Sequence, residues 1–283
     1  MKTTANFRKM KRDNDPIAML TAYDAPSARL AERAGVDLLL VGDSLGMVVL
    51  GYDSTIPVTV DDMVLHTKAV KRGARETFVV TDLPFLSYHS DFSETAGYVK
   101  RLTQEAGADA VKLEGGMEVT ETVKKLVQAG VPVMGHLGLT PQSVGVLGGY
   151  KVQGKQSPDA EKLIREAQAL EDAGAFAIVI ECVPRQLGQV MTERLNIPVI
   201  GIGAGADTDG QVLVYHDVIG YESENVPKFV HQYTNISSLI EQGLARYVND
   251  VKECAFPQQK HTYTMKEDQL QELYSGRFVG EGN

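Results

Sequence analysis

Short apolar runs recur through the first three quarters of this chain, and most of them stop at a residue able to do chemistry. The clearest is Leu38–Val41, which gives way to Gly42-Asp43-Ser44 and so carries a carboxylate and a hydroxyl at its tip. Runs this short, continuously apolar and rich in Val, Ile and Leu have the pattern of strands buried on both faces. Amphipathic stretches separate them, several closed by a glycine. Parallel strands with helical crossovers follow from that alternation, and in a closed barrel their C-terminal tips converge on one face.

The strand-like runs span residues 17–21, 38–41, 77–81, 110–113, 131–135, 177–180 and 198–202, with a weaker one at 212–215. Helical patterns occupy 25–34, 60–72, 93–105, 119–128, 157–172 and 185–195. Ser93 and Ser157 read as N-caps, and Pro158 suits a first turn. Eight such units predict an α/β fold of the (β/α)8 TIM barrel type, for which 283 residues is an ordinary length. A doubly wound open sheet is the rival. Two regions break the repeat. Residues 137–156 form a glycine-rich connection too long for a routine turn, which suits a flap over the site. Beyond Pro227 a helix around 236–253 and a short helical pattern at 266–274 decorate the C-terminus of a single domain.

A net charge of −9 argues against nucleic-acid or anionic-membrane partners, which would be repelled. No apolar run nears the roughly 20 residues of a membrane span. The basic N-terminus lacks the apolar segment of a signal peptide, and the two cysteines, Cys182 and Cys254, fit no disulfide or metal spacing. A cytoplasmic setting is the expectation.

The tips collect Asp43, Ser44, Asp82, Lys112, Glu114, His136 and Glu181. Four carboxylates converging in a low-dielectric pocket repel one another, and Lys112 neutralises one charge only. A divalent metal is the economical remedy, and oxygen ligands favour Mg²⁺ over Zn²⁺. Blander readings stand beside this one. Asp43 or Asp82 could cap the next helix, Lys112 could pair structurally with Glu114, and His136 could be a bonded core histidine. Cys182 reads as a small hydrophobe more readily than a nucleophile. The glycines of 200–205 are reminiscent of a barrel phosphate loop but form no full motif.

The strings MLTAYD (19–24), VGDSLG (41–46), DSTIPVT (53–59), DLPF (82–85), VKLEGG (111–116), GHLGLTPQS (135–143), GGYKVQG (148–154), IECVP (180–184) and IPVIGIGAG (197–205) resemble the ketopantoate hydroxymethyltransferase family. The resemblance covers about residues 3–255 and leaves residues 256–283 as a tail outside the shared core. It implies a Mg²⁺-dependent (β/α)8 barrel, decameric as a rule, that moves a one-carbon unit from 5,10-methylenetetrahydrofolate to 3-methyl-2-oxobutanoate on the way to pantothenate. By motif it makes Asp43 and Asp82 metal ligands, with Glu114 completing the site directly or through water. Asp43, Ser44, Asp82 and Lys112 would hold the oxoacid, His136 would contact it, and Glu181 would accept the proton. A Mg²⁺-dependent oxoacid lyase or phosphoenolpyruvate-mutase-like barrel would use similar chemistry. A non-catalytic oxoacid-binding barrel is the third possibility, though it has no use for a base.

Overall fold

The structure, a computed structural model, describes residues 1–221 and 226–276. The chain forms two compact units, divided between Thr234 and Asn235. The first opens with α1 (Thr4–Asp13), β1 (Ile17–Thr21), α2 (Ala25–Arg33), β2 (Leu38–Val41), α3 (Leu45–Val48), α4 (Val60–Gly73) and β3 (Phe78–Asp82). It continues through α5 (Phe92–Lys100), β4 (Ala110–Glu114), α6 (Thr120–Gln128), β5 (Val133–Gly138), α7 (Val144–Leu147) and α8 (Ser157–Asp172). It ends with β6 (Ala177–Glu181), α9 (Arg185–Arg194), β7 (Val199–Ile202), β8 (Gly210–Leu213) and α10 (Tyr215–Ile219). The strands close in chain order from β1 to β8, and β8 pairs parallel with β1. That is the (β/α)8 barrel, so the open sheet is excluded.

Alternation along each strand sorts side chains between two cores. Leu39, Val41, Val79, Val111, Leu113, Ile178 and Ile180 pack outward against the helices. Leu38, Leu40, Phe78, Val80, Ala110, Met134, Val179 and Ile200 fill the lumen. Helix α1, unforeseen in the sequence, supplies Phe7 and Met10 to that lumen core. The Phe7 ring meets Phe78 edge-on at 5.4 Å and lies 6.4 Å from Phe176. The N-terminal end of the barrel is therefore closed by aromatics, and only the other end is available for a site. Where α4 crosses α2, a Cβ on Gly73 would sit 2.2 Å from the Ala25 carbonyl oxygen, so the approach depends on glycine.

Several local expectations are corrected. Asp91, not Ser93, caps α5 by accepting from Glu94 N–H, and the helix widens into a π turn over Arg101–Glu105. Ser157 is the first residue of α8 rather than its cap. Strand β5 runs beyond His136 to Gly138, because its last rungs pair with Val179, Ile180 and Glu181 of β6. Strand β8 starts two residues earlier than its apolar content suggests. Gly210 allows this, since a Cβ there would lie 2.4 Å from the Ile17 carbonyl oxygen. His216 and Asp217 consequently sit on α10 rather than at a strand tip.

The second unit contains α11 (Ile236–Lys252), capped by Asn235, and α12 (Glu267–Tyr274). Residues 277–283 of the tail lie outside the described residues. Among the described residues no helix is long and apolar enough to cross a membrane.

Phe7→Ala should lower unfolding stability by about 3–5 kcal/mol, because it opens a cavity among Phe78, Phe176 and Met10. Chemical denaturation monitored by circular dichroism would measure the loss, and a change below about 1 kcal/mol would show that α1 does not brace the barrel.

Candidate active site

The C-terminal mouth of the barrel holds a cavity of about 1000 Å³ whose floor brings together all seven strand-tip candidates. Register explains the grouping: Asp82 lies beside Lys112 across β3 and β4, and Glu114 lies beside His136 across β4 and β5. Gly138 lies beside Glu181 across β5 and β6. Asp43, Asp82, Lys112, Glu114 and His136 are buried, whereas the Glu181 side chain keeps 16 % of its surface and faces the cavity. Ser44, just past β2, is half-buried and its Oγ is 2.8 Å from Tyr23 Oη.

Lys112 is the cation of this floor. Its Nζ lies 2.7 Å from Asp82 Oδ1 and 3.5 Å from His136 Nδ1. Burial alone would make it a weaker base, but Asp82, Glu114 and Asp43 outweigh burial and hold the ammonium firmly charged. His136 Nδ1 is 3.1 Å from Glu114 Oε1, and Nε2 is 3.2 Å from Glu181 Oε2. Burial and Lys112 depress the imidazole, yet Glu114 and Glu181 win and it rises to about 9. Burial also raises Glu114, but His136, Lys112 and the Gln142 N–H bring it below the usual carboxylate range. Asp43 goes the other way. Burial, Asp82 and Glu114 drive it well above its ordinary value.

Helix capping is not the work of either aspartate. Asp43 Oδ2 accepts from Gln142 Nε2 at 2.7 Å, and Asp82 Oδ2 accepts from the Asp43 N–H at 3.1 Å. Nor is Lys112 simply the mate of Glu114, because its closest carboxylate is Asp82. Cys182 is no thiolate, since burial pushes its thiol up to about 11. Its backbone has φ +47°, an uncommon conformation for a side chain with a Cβ. Two backbone bonds fix it: Cys182 N–H to Ile202 O at 2.9 Å, and Gln153 N–H to Cys182 O at 2.8 Å. They lock the strand end that carries Glu181. The glycines of 200–205 form no open anion cradle, because Gly203 faces Phe229 and Gly205 faces Arg185 at close range.

Gln142 is the site residue that sequence reasoning missed. It is buried, and besides Asp43 its amide donates to Leu83 O at 3.0 Å while its own N–H donates to Glu114 Oε2 at 3.0 Å. Tyr88 Oη donates to Gln142 Oε1 at 2.6 Å and accepts the Glu114 N–H at 3.3 Å. The string GHLGLTPQS contained the signal, since a glutamine just after a chemistry-bearing strand was available to reach its neighbours. The expected flap is thus pinned at both ends, by Gln142 and by Gln153, while Val146 between them is exposed.

The family model described as Ketopantoate hydroxymethyltransferase matches residues 1–259. The chain belongs to that family. The 3-methyl-2-oxobutanoate hydroxymethyltransferase of Shouchella clausii (strain KSM-K16) is 72% identical over 276 residues, covering 98% of this chain and 99% of that protein. The one from Halalkalibacterium halodurans is 62% identical with the same coverage. Among solved structures, a phosphoenolpyruvate phosphomutase from Streptomyces platensis subsp. rosaceus aligns with a TM-score of 0.60 at 17% identity, over 99% of this chain and 100% of that one. A phosphonopyruvate hydrolase complexed with oxalate and Mg²⁺ aligns with a TM-score of 0.59 at 13% identity, over 99% and 100%. At such identities these two bear on the fold alone, and they agree with the barrel of this ketopantoate hydroxymethyltransferase family member.

The floor of the family barrel suits a divalent cation bound by few ligands. Four carboxylates face one lysine and one histidine, which leaves two negative charges over when all are ionised. Asp82 Oδ1 is buried and has no well-directed hydrogen bond among the described residues, its contact with Lys112 notwithstanding. Both oxygens of Glu114 already accept from the protein. No three of the described His, Cys, Asp and Glu side chains are arranged to hold a metal by themselves. Mg²⁺ needs no such cage, since one or two carboxylates with water and substrate oxygens suffice.

Lys112→Met should cost about 3–5 kcal/mol at neutral pH by stranding the buried Asp82. Burial already raises the Asp82 acid in the folded state, and losing Lys112 raises it further, so the penalty should shrink as pH falls and Asp82 folds neutral. Denaturation midpoints at several pH values would show this, and a pH-independent loss would contradict the pairing.

Proposed function

We propose that this chain catalyses hydroxymethyl transfer from 5,10-methylenetetrahydrofolate to 3-methyl-2-oxobutanoate, forming 2-dehydropantoate. The observation that carries this reading is the partly exposed Glu181 carboxylate facing a floor rich in carboxylates around one lysine. The names of the close relatives support the same substrate. In the net reaction the C3 hydrogen of the oxoacid is replaced by CH₂OH. The methylene carbon comes from the folate, the hydroxyl oxygen from water, and tetrahydrofolate leaves.

Asp43 and Asp82 are the residues that would hold Mg²⁺, with Glu114 acting through water because its own oxygens are engaged. An ion held there would polarise the keto group and absorb charge developing on its oxygen, an effect commonly worth several kcal/mol. Lys112 and Ser44 orient the oxoacid by its carboxylate, so that C3 faces Glu181. Glu181 takes the C3 proton; one water cleaves both C–N bonds of the folate methylene, releasing tetrahydrofolate and the carbon at the formaldehyde level, and the enolate adds to that carbon, whose oxygen takes up the proton to become the new hydroxyl. His136 braces Glu181 from one side and Glu114 from the other. Gln142 and Tyr88 hold Asp43 and Glu114 in place, which makes the floor rigid before substrate arrives. Residues 143–152, held at both ends, close over the cavity and keep bulk water from the enolate, leaving room for the one water the reaction consumes. The decameric assembly and cytoplasmic setting implied by the family complete the proposal.

Mixing the protein with Mg²⁺, 3-methyl-2-oxobutanoate and 5,10-methylenetetrahydrofolate should release tetrahydrofolate, and its absence would overturn the assignment. Glu181→Gln should bind the oxoacid yet exchange its C3 proton with deuterated water about 10²–10⁴-fold more slowly. Undiminished exchange would refute the base. Asp82→Ala should lose metal-dependent oxoacid affinity in calorimetry, and unchanged affinity would place the ion elsewhere.

A further inference from the structure

The mouth of the barrel is chemically lopsided. Tips β2 to β6 carry Asp43, Asp82, Lys112, Glu114, His136 and Glu181, whereas β7, β8 and β1 present Ile202, Val214 and Thr21. The cavity extends over this second side, where Val212, Tyr221 and Phe229 also line it. At about 1000 Å³ it stands at the upper end for a drug-sized ligand, and a small branched oxoacid fills only a fraction of it. The remainder includes the side lined by His216, Tyr221 and Phe229.

Its wall is continuous with the oxoacid floor. Tyr23 bonds Ser44, and the His216 ring lies 5.5 Å from the Tyr23 ring and 5.3 Å from that of Tyr221. Among the described residues, Asp217 is the carboxylate on this side. Asp217 lines the cavity from α10, half-buried, and close enough to Tyr23 for its charge to oppose ionisation of the phenol. Desolvation raises the Asp217 acid. Asp53 also lines the cavity but is exposed, so water satisfies it. Asp217 is therefore a partly dehydrated acceptor, beside aromatic rings, away from the lysine and histidine of the floor.

We propose that Asp217, together with the His216 and Tyr221 rings, is the subsite for the fused 2-amino-4-oxopyrimidine ring of the one-carbon donor. Such a ring presents an N3–H and an exocyclic amino N–H side by side, and a carboxylate accepts both in a paired, charge-assisted contact. Its flat faces pack against aromatic side chains. Anchored there, the donor approaches the oxoacid from the β8–β1 side, across the cavity from Glu181, so that proton removal and carbon delivery do not compete for space. The proposal rests on the folate-dependent reading above.

Binding of tetrahydrofolate to the Mg²⁺- and oxoacid-loaded protein separates the possibilities. Asp217→Asn should raise the tetrahydrofolate Kd about 10- to 100-fold, while the oxoacid Kd, measured without folate, shifts by no more than about twofold. Asp217→Glu should recover part of the loss, which also reports a correctly folded pocket. A tetrahydrofolate analogue lacking the 2-amino group should bind wild type more weakly, yet lose little further affinity in Asp217→Asn, because the same contact is already gone. Equal tetrahydrofolate affinity in wild type and Asp217→Asn would overturn the subsite. So would an equal fall in oxoacid and folate affinity, or full additivity of the two losses. Failure of the wild type to release tetrahydrofolate during turnover would instead sink the folate reading itself.

Discussion

Crowding of carboxylates around one buried lysine is the constraint on which the rest of the site depends. Lys112 contacts Asp82 directly, and Glu114 and Asp43 are near enough to hold its proton in place. Burial and the neighbouring Asp82 and Glu114 drive the Asp43 acid well above its ordinary value. A cation held at the Asp43 and Asp82 oxygens, as proposed above, would offset that repulsion. Glu114 escapes the same fate because His136 and the Gln142 N–H stabilise its charged form. The site thus separates carboxylates by environment: donors lower the Glu114 acid, burial outweighs Lys112 at Asp82, burial and like charges raise Asp43, and Glu181 faces the cavity.

Such a cluster is tolerable only because the fold supplies its rigidity elsewhere. The lumen below it is filled by Leu40, Val80, Met134 and Val179, with Phe7 packed among them at the N-terminal end. At the mouth, Gly138 has φ +92°, and a Cβ there would meet the Glu181 carbonyl oxygen at 2.2 Å. Only glycine lets β5 and β6 stay paired up to Glu181. Beside it the left-handed Cys182, held by Ile202 and Gln153, fixes where Glu181 emerges. Backbone pairing, rather than the flexible side chain, sets the position of the group proposed to take the proton.

Most of the barrel was legible in the sequence because buried parallel strands are short, apolar runs, and residues such as Leu38–Val41 can hardly be anything else. The charged floor was legible too, since Asp82, Lys112 and Glu114 interrupt otherwise apolar strands. Two kinds of feature were not. Helix α1 has a polar sequence with only Phe7 and Met10 buried, and its role as a plug depends on meeting Phe78 and Phe176, far off along the chain. Gln142 and Tyr88 are uncharged residues in connections, and nothing local tells that they bond each other and two carboxylates. The eighth strand was displaced because apolar content favoured 212–215, while the rung that matters is set by Gly210 fitting between Ile17 and Ile200.

That displacement has a chemical consequence. With β8 ending at Leu213, the chain turns at Val214 into α10, and His216 and Asp217 are raised onto the rim instead of pointing into the floor as strand-tip groups. Had they joined the floor, a fifth carboxylate would have deepened the charge excess that Lys112 already fails to balance. On the rim, Asp217 faces an aromatic and aliphatic wall, where a carboxylate is costly unless a ligand donates to it. The same barrel therefore offers two kinds of acceptor that differ by partner. Hard oxygens crowd near a lysine on the β2–β4 side, suited to a small cation and an oxoacid. A single carboxylate beside flat rings lies on the β8 side, suited to neutral N–H donors of a heteroaromatic. A reaction that joins a small anion to a large flat donor needs that division, because one undivided polar pocket would let either ligand occupy the place of the other.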